Sequence, residues 1–237
     1  MTRWREYILT LLGAVIFALF VRSYLLTAYK VPTGSMQPTL KPGDFIFSSR
    51  VAYGVQLPFT QKKIDVVLPE RGDLVVFSYS SQPEVNYVKR VVGLPGDRVQ
   101  IKKGRLLLNE EALAYERVKN DEVDNPNPEV FEVFEERHSR NSGQNVGSKS
   151  EQGSWRVIFQ KHDEDKDFGP IVVPPGEVFM LGDNRDASDD SRYWGTVQAS
   201  QILGKVVFIW LSLDWQQKWG GNRYPSVRWS RVFNSVR

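Results

Sequence analysis

The 237-residue chain has no cysteine and only two histidines, His138 and His162. Without cysteine there is no thiol nucleophile, no disulfide framework and no thiolate metal site. Two histidines exclude a His-rich metal centre, and a Ser-His-Asp triad would have to use one of those two positions. The lack of thiols leaves the redox compartment open, because an exported protein can simply do without them. A large excess of one charge is also missing. A net charge of +3 and an isoelectric point near 9.0 are too weak a bias to imply a nucleic-acid partner. Long apolar runs are missing too, with one exception.

That exception is Tyr7 to Leu26, YILTLLGAVIFALFVRSYLL, 20 residues whose one charge is Arg22. As a helix it would be about 30 Å long, the thickness of a bilayer core. A basic start at Arg3 and Arg5 followed by an apolar run also suits a cleavable signal peptide. The stretch after Arg22 offers no good small-x-small cleavage site, however. The run is therefore read as an uncleaved transmembrane anchor over residues 7–28. Residues 1–6 lie in the cytoplasm by the positive-inside rule, Arg22 snorkels outward, and the remaining chain lies on the far side of the membrane.

Beyond the apolar run the chain is rich in strand formers. DFIFSSRVAYG, DLVVFSYS, NYVKRVVGL and DRVQI are separated by Gly-Asp and Pro-Gly turn signals, and IVVPPGEVFML and ILGKVVFIWLSL resume the pattern from Ile171. Between them, residues 105–167 hold 15 acidic against 9 basic residues and a loop-like NSGQNVGSKSEQGS run, with SWRVIFQ as an internal strand. The expected fold is mainly β: an antiparallel core over 29–104 and 168–213, an acidic β-rich insertion over 105–167, and one preceding transmembrane helix. The last 24 residues, 214–237, form a tail with five basic residues against one acidic, interleaved with Trp215, Trp219, Tyr224 and Trp229. Such a tail suits single-stranded nucleic acid. Beside an anchor, interfacial Trp and Arg at anionic headgroups fit better.

Three more segments can carry chemistry. In VPTGSMQPTLKPGD, residues 31–44, Pro32 disfavours helix at Val31. Gly34 permits a tight turn at Ser35, nine residues beyond the apolar run; an ordinary turn with a solvated serine would look the same. In NYVKRVVGLPGD, residues 86–97, strand alternation puts Tyr87, Lys89 and Val91 on one face and Val88, Arg90 and Val92 on the other. One cation must therefore face apolar neighbours, unless the strand is a solvated edge. A lysine acting as a base near pH 7–8 needs its pKa lowered by roughly 3 units, about 4 kcal/mol of differential interaction, within reach of burial. In LGDNRDASDDSRYWG, residues 181–195, a calcium loop fails. Counted from Asp183, position three is Arg185; counted from Asp186, positions six and twelve are Ser191 and Val197. Mixed Asp and Arg between apolar strands suggest an ion-pair network holding Ser188.

The succession TGSMQPTL, RGDLVVF, YVKRVVGLPGD and GDNRDASDDSRYWG resembles bacterial type I signal peptidases, membrane-bound serine peptidases with a Ser-Lys dyad. The resemblance covers most of residues 29–212 and extends to VRWSRVF in the tail. It implies that Ser35 is the nucleophile and Lys89 the general base. Ser188 would orient Lys89, and Asp183, Asp190 and Arg192 would brace the loop. The Ser35 N–H and the Thr33 hydroxyl would form the oxyanion hole. Val31, Met36, Leu40, Tyr87 and Val88 would line shallow pockets for small residues, as in Ala-x-Ala.

Departures from the family pattern are Thr33 in place of Ser, Ala187 in place of Asn, and one span where many Gram-negative relatives have two. Both histidines lie in charged stretches of the insertion, apart from any activatable serine, so a lysine base is the economical choice. The expected enzyme is a monomer in the bacterial inner membrane with its catalytic domain outside the cytoplasm. It cleaves preproteins without metal or cofactor and has no nucleic-acid partner. A peptidase dedicated to one conjugation or pilus substrate, or a non-catalytic anchored scaffold, are the alternatives.

Overall fold

Strand-forming residues dominate from residue 26 onward, and they build almost everything beyond the N-terminal helix. The computed structural model describes residues 2–20, 25–56, 63–79, 82–119, 127–137, 153–161, 166–219 and 224–236. Arg22, His138 and His162 lie outside the described residues.

The chain begins with helix α1 (Thr2–Phe20), then strands β1 (Leu26–Lys30) and β2 (Asp44–Ser49). A small ribbon of β3 (Val55–Gln56) and β4 (Lys63–Ile64) follows, then the long pair β5 (Leu74–Tyr79) and β6 (Gln82–Gly93). Next come β7 (Arg98–Lys102), β8 (Arg105–Leu108) and β9 (Glu111–Ala112), then β10 (Ala114–Arg117), β11 (Phe131–Arg137) and β12 (Ser154–Gln160). The return runs through β13 (Phe168–Val172), β14 (Glu177–Leu181), the one-turn helix α2 (Ser191–Trp194) and β15 (Val197–Gln198). The long β16 (Ile202–Trp219), β17 (Tyr224–Val227) and β18 (Asn234–Ser235) close the chain.

Every named strand pairing is antiparallel, as a mainly β chain with short turns favours. The largest sheet runs β1-β2-β16-β5-β6-β14-β15, with β17 and β18 also on β16. Strands β10, β11 and β12 form a separate sheet, and β13 joins β7, β8 and β9 in another. The acidic insertion thus owns a three-stranded sheet, while β8 and β9 belong with strands on its flank.

The N-terminus departs from the expected anchor. Helix α1 starts five residues before the apolar run, so its first turns carry Arg3, Arg5 and Glu6. Leu26 to Ala28, expected inside the anchor, instead pair with Ser49, Ser48 and Phe47. A ladder along β2 satisfies the backbone groups that a longer helix would have paired internally. Among the described residues no helix is long and apolar enough to cross a membrane. The side chains of residues 3–15 are nonetheless all exposed, Ile8, Leu9, Leu11 and Leu12 among them.

Candidate active site

After β1 the chain leaves the sheet edge and folds back over it. Val31 N–H donates to the Asp44 carbonyl at 2.8 Å and Gly43 N–H to the Val31 carbonyl at 2.9 Å, closing a loop over residues 31–44. Gly43 has φ +90°, and a Cβ there would lie 2.1 Å from the Leu213 carbonyl, so only glycine fits. Within the loop Leu40 N–H donates to the Met36 carbonyl at 2.8 Å. Met36 and Leu40 then bury against Leu74, Val76 and Ile209, which pins the loop onto the face of the sheet. Ser35 is held half-buried beside them, with the Thr33 hydroxyl 3.4 Å from its Oγ.

The base of this loop is tied to the C-terminal tail. Asp44 accepts from Ser212 Oγ at 2.6 Å and from Arg231 at 2.6 Å, and Arg231 also donates to the Thr39 carbonyl at 2.9 Å. Arg228 donates to the Pro42 and Leu213 carbonyls at 2.6 and 2.7 Å. Two of the tail arginines expected at lipid headgroups therefore face inward, because a buried carboxylate needs donors more than the surface needs cations. The tail aromatics Trp215, Tyr224 and Trp229 stay exposed, as does Phe233.

Strand β6 supplies the two cations that sequence alternation assigned to opposite faces. Both are buried: Lys89 is 3% exposed and Arg90 1%. Arg90 is paired bidentately with Asp183, both bonds 2.8 Å, and also donates to the Gly72 carbonyl at 2.7 Å. Lys89 donates to Ser188 Oγ at 3.0 Å and makes no ion pair among the described residues. Burial therefore dominates and pushes the Lys89 amine down from 10.5 to about 8. The carboxylates of Asp190, Asp189 and Asp183 pull the other way, and Arg192 reinforces the burial.

The loop from Gly182 to Arg192 packs between these two pieces. A Cβ on Gly182 would stand 2.1 Å from Ser188 Oγ and 2.6 Å from the Ser35 carbonyl, so a bare backbone is what lets them crowd together. Asn184 holds the serine turn twice: its N–H donates to the Ser35 carbonyl at 3.1 Å and its side chain to the Gly34 carbonyl at 3.2 Å. Asp190 caps α2, accepts from Gly182 N–H at 3.0 Å and pairs with Arg192 at 2.8 Å. Arg192 also donates to the Arg185 carbonyl at 2.5 Å.

A cleft of about 640 Å³ gathers Val31, Thr33, Ser35, Met36, Tyr87, Val88 and Lys89, with Asn184, Ala187 and Asp189 on its far wall. Ser188 accepts from Lys89, Asp183 pairs with Arg90, and Asp190 pairs with Arg192. Leu40 is the exception among the expected pocket residues. It is fully buried in the core under the turn and does not line the cleft. Gly182, Asn184 and Arg90 were not singled out as site residues. Arg90 had a signal, since its charge sits next to Lys89 on a strand; the other two reveal themselves only through what they touch. Among the described residues no cluster of His, Asp and Glu could hold a metal.

A serine and a buried amine of lowered pKa in one cleft on a β frame are the components of a hydrolase-type site. The family model described as signal peptidase, peptidase S26, matches residues 4–211. Signal peptidase I of Pseudomonas fluorescens is 37% identical over 219 residues, covering 87% of this chain and 72% of that one. Those of Pseudomonas aeruginosa and Buchnera aphidicola are 36% and 35% identical, covering 87% and 84% of this chain and 72% and 74% of theirs. The chain belongs to the signal peptidase family, peptidase S26, and is a hydrolase.

Proposed function

We propose that this protein is a membrane-bound serine endopeptidase that removes N-terminal signal peptides from exported preproteins, with Ser35 as nucleophile and Lys89 as general base. The observation that carries this reading is Lys89 itself: a buried amine, held by a hydroxyl and lowered to about 8, in the same cleft as Ser35. At pH 7 roughly a tenth of such amines are free, enough to accept a proton.

In the cycle, the neutral Lys89 amine takes the Ser35 proton as Oγ attacks the scissile carbonyl. The Ser35 N–H and the Thr33 hydroxyl stabilise the developing oxyanion, each donor contributing about 2.7–4 kcal/mol in comparable sites. The Lys89 ammonium then protonates the leaving amine. The free Lys89 amine next takes a proton from water as the hydroxide attacks the acyl-enzyme, and the resulting ammonium returns that proton to Ser35 Oγ as the acid leaves, restoring both groups. Ser188 orients Lys89, while Asp183, Asp190 and Arg192 hold the loop.

An extended substrate end lies along the cleft by strand-type hydrogen bonding. The walls given by Val31, Met36, Tyr87 and Val88 leave shallow apolar room, which favours small residues of the Ala-x-Ala type. The exposed apolar side chains of α1 support a membrane anchor, and exposed Trp215, Trp229 and Phe233 support docking of the core on the bilayer. The domain reading keeps 1–6 cytoplasmic, ends the anchor before β1 at Leu26, and takes 26–104 with 168–213 as catalytic core, 105–167 as insertion and 214–237 as membrane-proximal tail. The test is cleavage of several unrelated preproteins in detergent or lipid by the wild type, Ser35→Ala and Lys89→Ala. Turnover by the wild type and its loss in both variants is expected; retained activity in Lys89→Ala would remove the dyad.

A further inference from the structure

Among the described residues of the acidic insertion, one carboxylate is buried. Glu136, on β11, is 0% exposed although its sequence surroundings are strongly acidic. It accepts four hydrogen bonds: from Tyr115 Oη at 2.5 Å, from Trp155 Nε1 at 2.8 Å, and from the Arg185 guanidinium at 2.5 and 2.7 Å. Arg185 is itself 3% exposed and belongs to the loop of the cleft, two positions after Asp183 and next to Asn184. That loop is also joined to β12 as if it were a further strand. Ile158 N–H donates to the Asp183 carbonyl at 2.9 Å, Arg185 N–H to the Ile158 carbonyl at 3.0 Å, and Gln160 N–H to the Asp186 carboxylate at 2.7 Å. On its other side the same run holds the Gly34 and Ser35 carbonyls through Asn184.

We infer that Glu136 is a positioning residue for Ser35, reaching it through Arg185 and Asn184, and that the insertion serves as the rigid backing against which the serine turn is held. The physical reason is geometric. The serine turn is a loop anchored at its base by Asp44, and its tip needs a second fixed point for Oγ to stay in line with the amine. Bidentate pairing of Arg185 fixes both the position and the plane of the guanidinium. A loop that is free to shift by about 1 Å costs roughly a hundredfold in rate.

The inference rests on the Ser35 reading, and the experiment separates the two. Full-length wild type, Glu136→Gln, Tyr115→Phe, Asn184→Ala and the Glu136→Gln/Asn184→Ala double variant are assayed on one preprotein in detergent. The assay temperature is one at which circular dichroism shows each to be folded. Glu136→Gln is expected to lose roughly ten- to a hundredfold in kcat with KM within about twofold of the wild type. The acid limb of its pH profile should stay near the wild-type position, because Glu136 is not among the charges acting on Lys89, which are Asp190, Asp189, Asp183 and Arg192. Tyr115→Phe keeps the ion pair and removes one bond to Glu136, so a few-fold loss in kcat is expected. The double variant should lose no more than the worse single variant, since both act on one path.

Wild-type kcat in a folded Glu136→Gln or Tyr115→Phe protein, or losses that multiply in the double variant, would overturn the inference. If Glu136→Gln does not fold, Tyr115→Phe and Asn184→Ala decide by the same kcat criterion. Activity persisting in Ser35→Ala would instead overturn the proposed function and leave the clamp a structural finding.

Discussion

Two buried charge sites lie close together in this molecule, and they are built on opposite principles. At Glu136 and Arg185 every carboxylate oxygen is bonded, the charges cancel, and aromatic donors complete the shell. At Lys89 the amine has a hydroxyl for a hydrogen-bond partner and sits beyond ion-pair distance of the surrounding aspartates. Its neighbour Arg90 is paired in the first manner, with Asp183. The fold can therefore neutralise a buried cation one residue away and does not do so at Lys89. A charge-neutralised bidentate pair is inert and gives rigidity. An unpaired amine costs stability and gains a proton-accepting form near neutral pH.

The largest break in that contrast comes from removing the chemistry. Ser35→Ala and Lys89→Ala should each lower kcat by about 10⁴-fold or more in preprotein cleavage while leaving the fold intact. Gly182→Ala should cost roughly a hundredfold, because the added methyl displaces Ser188 or the Ser35 carbonyl; the check is kcat together with a normal melting curve. Ser188→Ala removes the one hydrogen bond on the amine, with an expected loss of about ten- to a hundredfold.

Stability should respond in opposite directions at the two kinds of site. Asp183→Ala strands the Arg90 guanidinium and should cost about 3–5 kcal/mol in denaturant unfolding. Lys89→Met should stabilise at neutral pH by about 3 kcal/mol, the cost of keeping an ammonium whose pKa has fallen from 10.5 to about 8. The unfolded state binds the extra proton between those values. Wild-type stability therefore rises with pH through about 8–10.5, and the advantage of the variant fades over the same window. In the active enzyme the acid limb of the rate should have its midpoint near pH 8. The smallest effect belongs to the exposed Arg117–Glu132 pair, whose removal should change stability by less than about 1 kcal/mol.

The strands Asp44–Ser49 and Leu74–Tyr79 and the Asn86–Gly93 part of β6 were legible because Val, Ile, Phe and Tyr cluster between turn residues there. Ser35, Lys89 and Ser188 could be singled out as candidates because each stands in or beside a distinctive run of Gly, Pro, Asp or Arg, and the fold brings all three to one region. Leu40 was misassigned for a physical reason: an apolar residue in a loop can face a cleft or the core, and the pattern looks the same. Glu136 was invisible, since a glutamate among many acidic residues reads as solvated until its neighbours are known. The tail reading differs for a similar reason: Arg228 and Arg231 turn inward, Arg231 onto Asp44, while Trp215, Tyr224 and Trp229 stay exposed.

By itself the sequence determined the period-two strands, the apolar N-terminal run and the absence of any cysteine, which removes thiol chemistry. These are local properties, set by side-chain type and spacing along a few residues. Only the tertiary structure decided that both cations of β6 are buried and that one is paired while the other is not. It alone brought the Lys89 amine to 3.0 Å from the Ser188 hydroxyl, 99 positions further along the chain. Burial and electrostatic environment depend on what the rest of the chain brings alongside, and those partners come from strands and loops far away in sequence.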